Sequence, residues 1–156
     1  MTDKNMVPAA EILDTDECWR LLENTSVGRL AVVVDGQPDV FPVSFKPDGG
    51  GLLFRTGSGT KLDAMEANSL VALEADSVSG EFGLAWSVVV KGKAVQDDAS
   101  GTSLNDTRRG LFPWQGVGQE HLIRIIPQSV TGRKFTLSAT GTWRTALDDA
   151  TRAGLE

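Results

Sequence analysis

Apolar positions along this chain begin at helical spacing and then switch to alternation. Cys18, Leu21 and Leu22 form one stripe, with Asp14 or Thr15 placed to cap a helix that ends near Asn24. From residue 28 to 34 the chain is rich in β-branched residues, which predicts a strand. Asp35-Gly36-Gln37-Pro38 is a turn signal, and residues 40–45 return as a second strand. Pro47-Asp48-Gly49-Gly50-Gly51 is a second turn, leading into a third strand over 52–56. These three strands read as an antiparallel meander.

A short helix carrying Leu62, Ala64 and Met65 follows. Residues 69–75 read as the fourth strand and 84–95 as a long fifth, with Gly92 at a possible bulge. Residues 96–118 are polar and glycine-rich around one apolar island, Leu111-Phe112-Pro113-Trp114, and read as a loop. Residues 122–126 and 129–137 make the last strand or strands, interrupted at Pro127. The expected class is mainly β (α+β), with six to seven antiparallel strands and two or more short helices. Such a sheet must protect its edges, and closure into a small barrel is the economical solution. Side chains fill a barrel of so few strands, so a ligand is expected on its outside, covered by a second subunit. Residues 1–10 read as a loose leader, 11–138 as one domain and 139–156 as a tail without clear period.

Composition narrows the function. The chain has 156 residues, 40% hydrophobic, which suits one globular domain. Its net charge of −6 argues against nucleic acid and against an anionic membrane surface. No apolar run approaches the ~20 residues of a transmembrane helix. The first 25 residues lack a signal-peptide core, so a cytoplasmic location is expected. Cys18 and His121 are the only cysteine and histidine, which excludes a Cys/His zinc site within one chain; no metal is expected. A Ser-His-Asp triad would have to use His121, which borders an apolar run and reads as structural.

Against that acidic background one basic segment stands out, Arg55-Thr56-Gly57-Ser58-Gly59-Thr60-Lys61-Leu62. Here a strand passes through small residues into a helix. Thr60 is placed to act as N-cap with Asp63 as capping-box partner. A helix start offers unpaired N–H groups and the positive end of a dipole. With two hydroxyls, Ser58 and Thr60, and two cations, Arg55 and Lys61, it makes a candidate seat for one phosphate. The glycine spacing matches neither a Walker loop nor a dinucleotide fingerprint.

Four segments in order carry a family resemblance: Val27-Gly28-Arg29-Leu30-Ala31; Gly36-Gln37-Pro38 leading to Phe41-Pro42-Val43-Ser44-Phe45; the junction from Arg55 to Leu62; and Trp86-Ser87-Val88-Val89-Val90-Lys91-Gly92-Lys93-Ala94. Val130-Thr131-Gly132-Arg133 adds a fifth. Over roughly residues 10–138 the chain resembles the pyridoxamine 5′-phosphate oxidase-like flavin-binding split-barrel family. The resemblance implies a split β-barrel and a homodimer with the cofactor, flavin mononucleotide (FMN), at the subunit interface. It implies contacts from Phe41, Pro42, Val43, Ser44 and Phe45 along the flavin, continued by Arg55 and Thr56. It implies a phosphate held by Thr60 and Lys61 with Ser58 close by, and Trp86 and Ser87 reaching the flavin from the partner chain. Trp114 is a candidate lid over the ring.

The implied activity is flavin-dependent oxidoreduction of a small molecule. The substrate is not named by the sequence, because its pocket would come from loops at 76–83 and 108–120. No catalytic acid or base is identifiable. The C-terminal substrate segment of the true oxidases has no match here. Some relatives use the deazaflavin F420, whose longer anionic tail would want Arg29, Lys46 or Arg133. A flavin carrier or sensor without turnover is a third reading. Haem-binding relatives need an axial ligand, which only His121 would supply as histidine.

Overall fold

The structure, a computed structural model, describes residues 10–79, 83–97 and 120–136. Its elements are β1 (Ala10–Ile12), α1 (Thr15–Glu23), β2 (Val27–Val34), β3 (Gln37–Asp48), β4 (Gly51–Gly57), α2 (Thr60–Ala67), β5 (Leu70–Ser79), β6 (Leu84–Gln96) and β7 (Glu120–Thr136). The seven antiparallel strands run in the order β1-β7-β4-β3-β2-β5-β6, and β6 pairs back onto β7. Strands β2 to β7 therefore close into a six-stranded barrel, and β1 is added at the edge of β7.

The meander forms because its turns demand what the sequence supplies. Asp35 and Gly36 both have positive φ, 51° and 77°, as do Gly49 and Gly50 at 58° and 79°. Two consecutive left-handed residues make the tight hairpin turn whose twist suits flanking strands. Alternation then sorts the faces. Leu30 and Val32 of β2, Val43 and Phe45 of β3, Leu52 and Phe54 of β4, and Leu73 of β5 are buried in one core. Val88 and Val90 of β6 and Ile123 and Ile125 of β7 complete it. The barrel interior is thus filled by side chains. Helix α1 is capped by Asp14, whose Oδ1 accepts from the Glu17 amide at 2.9 Å, and buries Cys18 and Leu22. Helix α2 packs against β2 and β4 and buries Leu62 and Met65.

Four expectations need correction. Residue 10 belongs to β1 rather than to a leader, and Ile12 pairs with Arg133. Residues 76–79, expected in a loop, extend β5 and pair with 84–87 of β6. Pro127 does not interrupt the last strand, and β7 is continuous. Lys91 pairs with Ser129 and Gly92 with Pro127, so Gln128 is an extra residue and a bulge absorbs the proline. Gly92 is required opposite it, because a Cβ there would lie 2.0 Å from the Ile126 carbonyl oxygen. Finally, the N-cap of α2 is Gly59, with φ 142°, and no side chain caps the helix; Thr60 is its first residue.

Candidate functional site

Strand β4 delivers the junction. Leu52, Phe54 and Thr56 face the barrel, while Leu53 packs outside against Leu122 and Arg55 shares that outer face by alternation. Thr56 is buried and its hydroxyl donates to the Gly57 carbonyl at 3.3 Å. The chain then turns through Gly57, Ser58 and Gly59 into α2. Among the described residues, a Cβ at Gly57 or Gly59 would meet nothing within 4 Å, so the turn is open on that side. The φ of 142° at Gly59 is a conformation that other residues rarely adopt. Unlike α1, this helix begins without a side-chain acceptor, so its first-turn amides remain available to a ligand.

Lys61 is the unexpected residue. A cation of an outward-facing phosphate seat would ordinarily be exposed, yet Lys61 is only 9% exposed. Its Nζ lies 4.8 Å from the centroid of the Phe41 ring. Among the described residues it is ion-paired with no carboxylate. Burial pushes its pKa below the ordinary lysine value, because the ammonium has lost water without gaining an anion. A desolvated cation at the uncapped start of a helix fits an anionic group, and the cationic ring contact offsets only part of its cost.

The remaining expected contacts divide by strand. On β3, the side chains of Val43 and Phe45 lie in the core, so these positions offer a ligand their backbone rather than their faces. Ser44 is buried, Pro42 is exposed and Phe41 is half-buried against the core. On β6, Trp86 is half-buried against the same core and Ser87 pairs with Asp76. Strands β3 and β6 are separated by β2 and β5 on one side and by β4 and β7 on the other. The structure therefore groups the β3, β4 and α2 residues but sets Trp86 and Ser87 across the barrel from them. Trp114 lies outside the described residues, as do the 98–119 segment and the 137–156 tail.

One residue of this end escaped the sequence reading. The Nε2 of His121 lies 3.2 Å from Ser58 Oγ, and its Nδ1 lies 2.9 Å from Gln96 Nε2. Ser58 and His121 are 63 residues apart, and only the β4–β7 register, which pairs Thr56 with His121, brings them together. No local pattern carries that signal. Arg29, considered for a longer anionic tail, is engaged by Glu74 and Asp76 at 3.4 and 3.3 Å.

The comparisons with known proteins agree with this architecture. The family model described as pyridoxamine 5′-phosphate oxidase matches residues 14–134. The chain belongs to that family. An uncharacterised Mycobacterium tuberculosis protein, Rv0080, is 30% identical over 125 residues, covering 77% of this chain and 82% of its own. A solved Corynebacterium glutamicum chain carrying the same family name is 36% identical, with a TM-score of 0.72 over 83% of this chain and all of that one. A Mycobacterium smegmatis FAD binding protein is 37% identical, with a TM-score of 0.64 over 80% of this chain and 99% of its own. Among the described residues, no helix is long and apolar enough to cross a membrane.

Proposed function

We propose that this family member is a homodimeric, cytoplasmic oxidoreductase that uses a phosphorylated flavin, with FMN as first choice. The observation that carries the reading is Lys61, a buried cation without a carboxylate partner among the described residues, at the open and uncapped start of α2. The flavin phosphate would be received by the first-turn amides, Ser58, Thr60 and Lys61. Arg55 on the outer face of β4 and the backbone of β3 would run along the rest of the cofactor. A bound flavin supplies hydride acceptance and release; the chain supplies binding, orientation and exclusion of water. The FAD-binding relative supports a flavin, and FAD carries the same ribityl phosphate. Arg29 is already held by two carboxylates, which favours a flavin over the longer anionic tail of F420.

The barrel geometry supports the dimer. Trp86 and Ser87 cannot join the β3–β4 face of their own protomer, so a second copy would present them. A face is available for burial, since Val33 and Leu70, 39% and 53% exposed, line an outer depression. The test is titration of the purified protein with FMN, FAD, riboflavin and F420, together with light scattering. Saturable binding of FMN, weaker binding of riboflavin and a particle of about 33 kDa, twice the 16.7 kDa chain, are expected. Reduction of an acceptor by the reduced flavin complex in steady state would distinguish an oxidoreductase from a carrier. Tight F420 binding with none of FMN or FAD would overturn the flavin reading.

A further inference from the structure

We infer that Phe41 is a positioning residue for the phosphate seat: its ring holds the Lys61 ammonium at the split of the barrel and so sets the preference for a phosphorylated over an unphosphorylated flavin. This rests on the placement of a flavin phosphate at the start of α2, proposed above. The pairing of β3 with β4 runs only from Asp48↔Gly51 to Phe45↔Phe54. Beyond it the two strands follow different neighbours. Strand β3 stays on β2 as far as Gln37↔Val34, and β4 stays on β7 as far as Gly57↔Glu120. A split therefore opens between residues 37–44 of β3 and the end of β4, and α2 begins on the β4 side of it. Lys61 links the two sides. It belongs to α2, and its Nζ lies 4.8 Å from the centroid of the Phe41 ring on β3.

The ring does not depend on Lys61 for its own place. Phe41 pairs with Leu30, which is fully buried, and packs half-buried against the core. Pro42, which follows it, restricts the Phe41 backbone to the extended region. Lysine is the opposite case, a flexible four-carbon stem with some of the largest rotamer entropy of any side chain. The choice of an aromatic partner then has a chemical consequence. A carboxylate at the same position would hold the ammonium firmly, but it would neutralise the charge and repel a phosphate. An aliphatic side chain would leave the ammonium free to swing into water. The negative face of a ring attracts the cation and leaves its charge uncancelled. An ammonium carries three donors, so those turned from the ring remain for an anion. Ordering a long side chain at the moment of binding lowers affinity about two- to tenfold, and the ring removes that cost beforehand. Only a ligand that uses Lys61 gains from this, so FMN gains and riboflavin, which lacks the phosphate, does not. A Phe41 that merely touched the flavin ring would serve both ligands alike.

The readout is the ratio of the riboflavin to the FMN dissociation constant, from fluorescence titration of the parent and each variant. A change that only loosens the fold weakens both ligands and leaves the ratio in place. Phe41→Leu should lower the ratio about two- to tenfold. Phe41→Tyr keeps the ring face and should hold the ratio within about twofold of the parent. In a Lys61→Met background Phe41→Leu should lower the ratio no further, because the ring then has no cation to hold. Circular dichroism checks folding, and Phe41→Met takes the place of Phe41→Leu if the latter does not fold. An unchanged or raised ratio in Phe41→Leu overturns the inference, as does an equal fall in the Lys61→Met background. Lys61→Met alone separates this from the wider reading. A lowered ratio in that variant keeps the phosphate seat standing whatever Phe41 does, and a parent-like ratio overturns both.

Discussion

Replacing Lys61 by Met should move stability and cofactor affinity in opposite directions. In the free protein Lys61 is 9% exposed and its ammonium faces one ring at 4.8 Å. That contact contributes about 0.5–2 kcal/mol, depending on how fully it is desolvated. Burying a charge that lacks a paired anion costs more than this. Methionine keeps an unbranched stem over Phe41 and gains a sulfur–aromatic contact of about 0.3–1.5 kcal/mol. The ligand-free variant should therefore be at least as stable as the parent, by up to about 1 kcal/mol, which is about 2–4 °C for a chain of this size. The FMN complex loses a charge-assisted hydrogen bond of about 1.5–3 kcal/mol, or roughly ten- to a hundredfold in affinity. Riboflavin binding should hardly change. The pH dependence has a defined direction. Burial holds the folded-state pKa of Lys61 below its ordinary value of 10.5, so the charged form costs stability at all pH below the folded value. That cost disappears as pH rises toward 10.5, and the advantage of the variant should shrink with it. Denaturant unfolding at pH 7 and pH 10, paired with calorimetric titration of FMN and riboflavin, measures each part. A variant that is less stable and binds FMN like the parent would show that Lys61 only closes the barrel end.

Two further outcomes follow from the packing and the charges. Gly92→Ala places a Cβ against the main chain of Ile126, which cannot swing away, so β6 and β7 must part at the bulge. The cost should reach about 3 kcal/mol, a fall of about 6–12 °C in the thermal midpoint, and an unchanged melt would refute the close approach. Burial, then the hydrogen bond and charge of Asp76, push the Glu74 carboxyl up to about 7, while Arg29 opposes them. Its folded value lies above its ordinary 4.5, so ionisation costs stability increasingly as pH rises from about 4.5 to 7. Solvent screening at this partly exposed site limits the effect to about 1 kcal/mol. Glu74→Gln should flatten the stability profile between pH 5 and 8, and an identical slope in both proteins would exclude the carboxyl as its source.

Local chemistry made much of the fold legible. Asp14 caps α1 because a short carboxylate reaches back to a first-turn amide, and that is written in neighbouring residues. The two hairpin turns are equally local, since Asp-Gly and Gly-Gly permit positive φ. What escaped depends on distant partners. Pro127 reads as a break in any strand, and only the bulge opposite Gly92 lets β7 pass through it. Residues 10–12 carry no strand signal strong enough to stand without β7 as a template. Thr60 was the better cap on chemistry, but the positive φ at Gly59 starts the helix one residue earlier. The burial of Lys61 and the contact between Ser58 and His121 arise from barrel closure, and neither has a counterpart in local spacing.

Strand β7 is also a constraint on time. It joins β4 on one side, β6 on the other and β1 at its far end, so it completes the ring that the earlier strands leave open. Until it has been synthesised, β4 and β6 both present unpaired edges, and the apolar stripe of the meander has no lid. Ala10 must find Phe135 across nearly the whole described chain. Loops that long close slowly, and exposed strand edges invite pairing with other nascent chains in the interval. Folding of this barrel should therefore be limited by docking of β7, with the one-residue bulge at Gln128 selecting its register. A chain stopped before residue 120 would be expected to aggregate rather than to wait as a partial barrel.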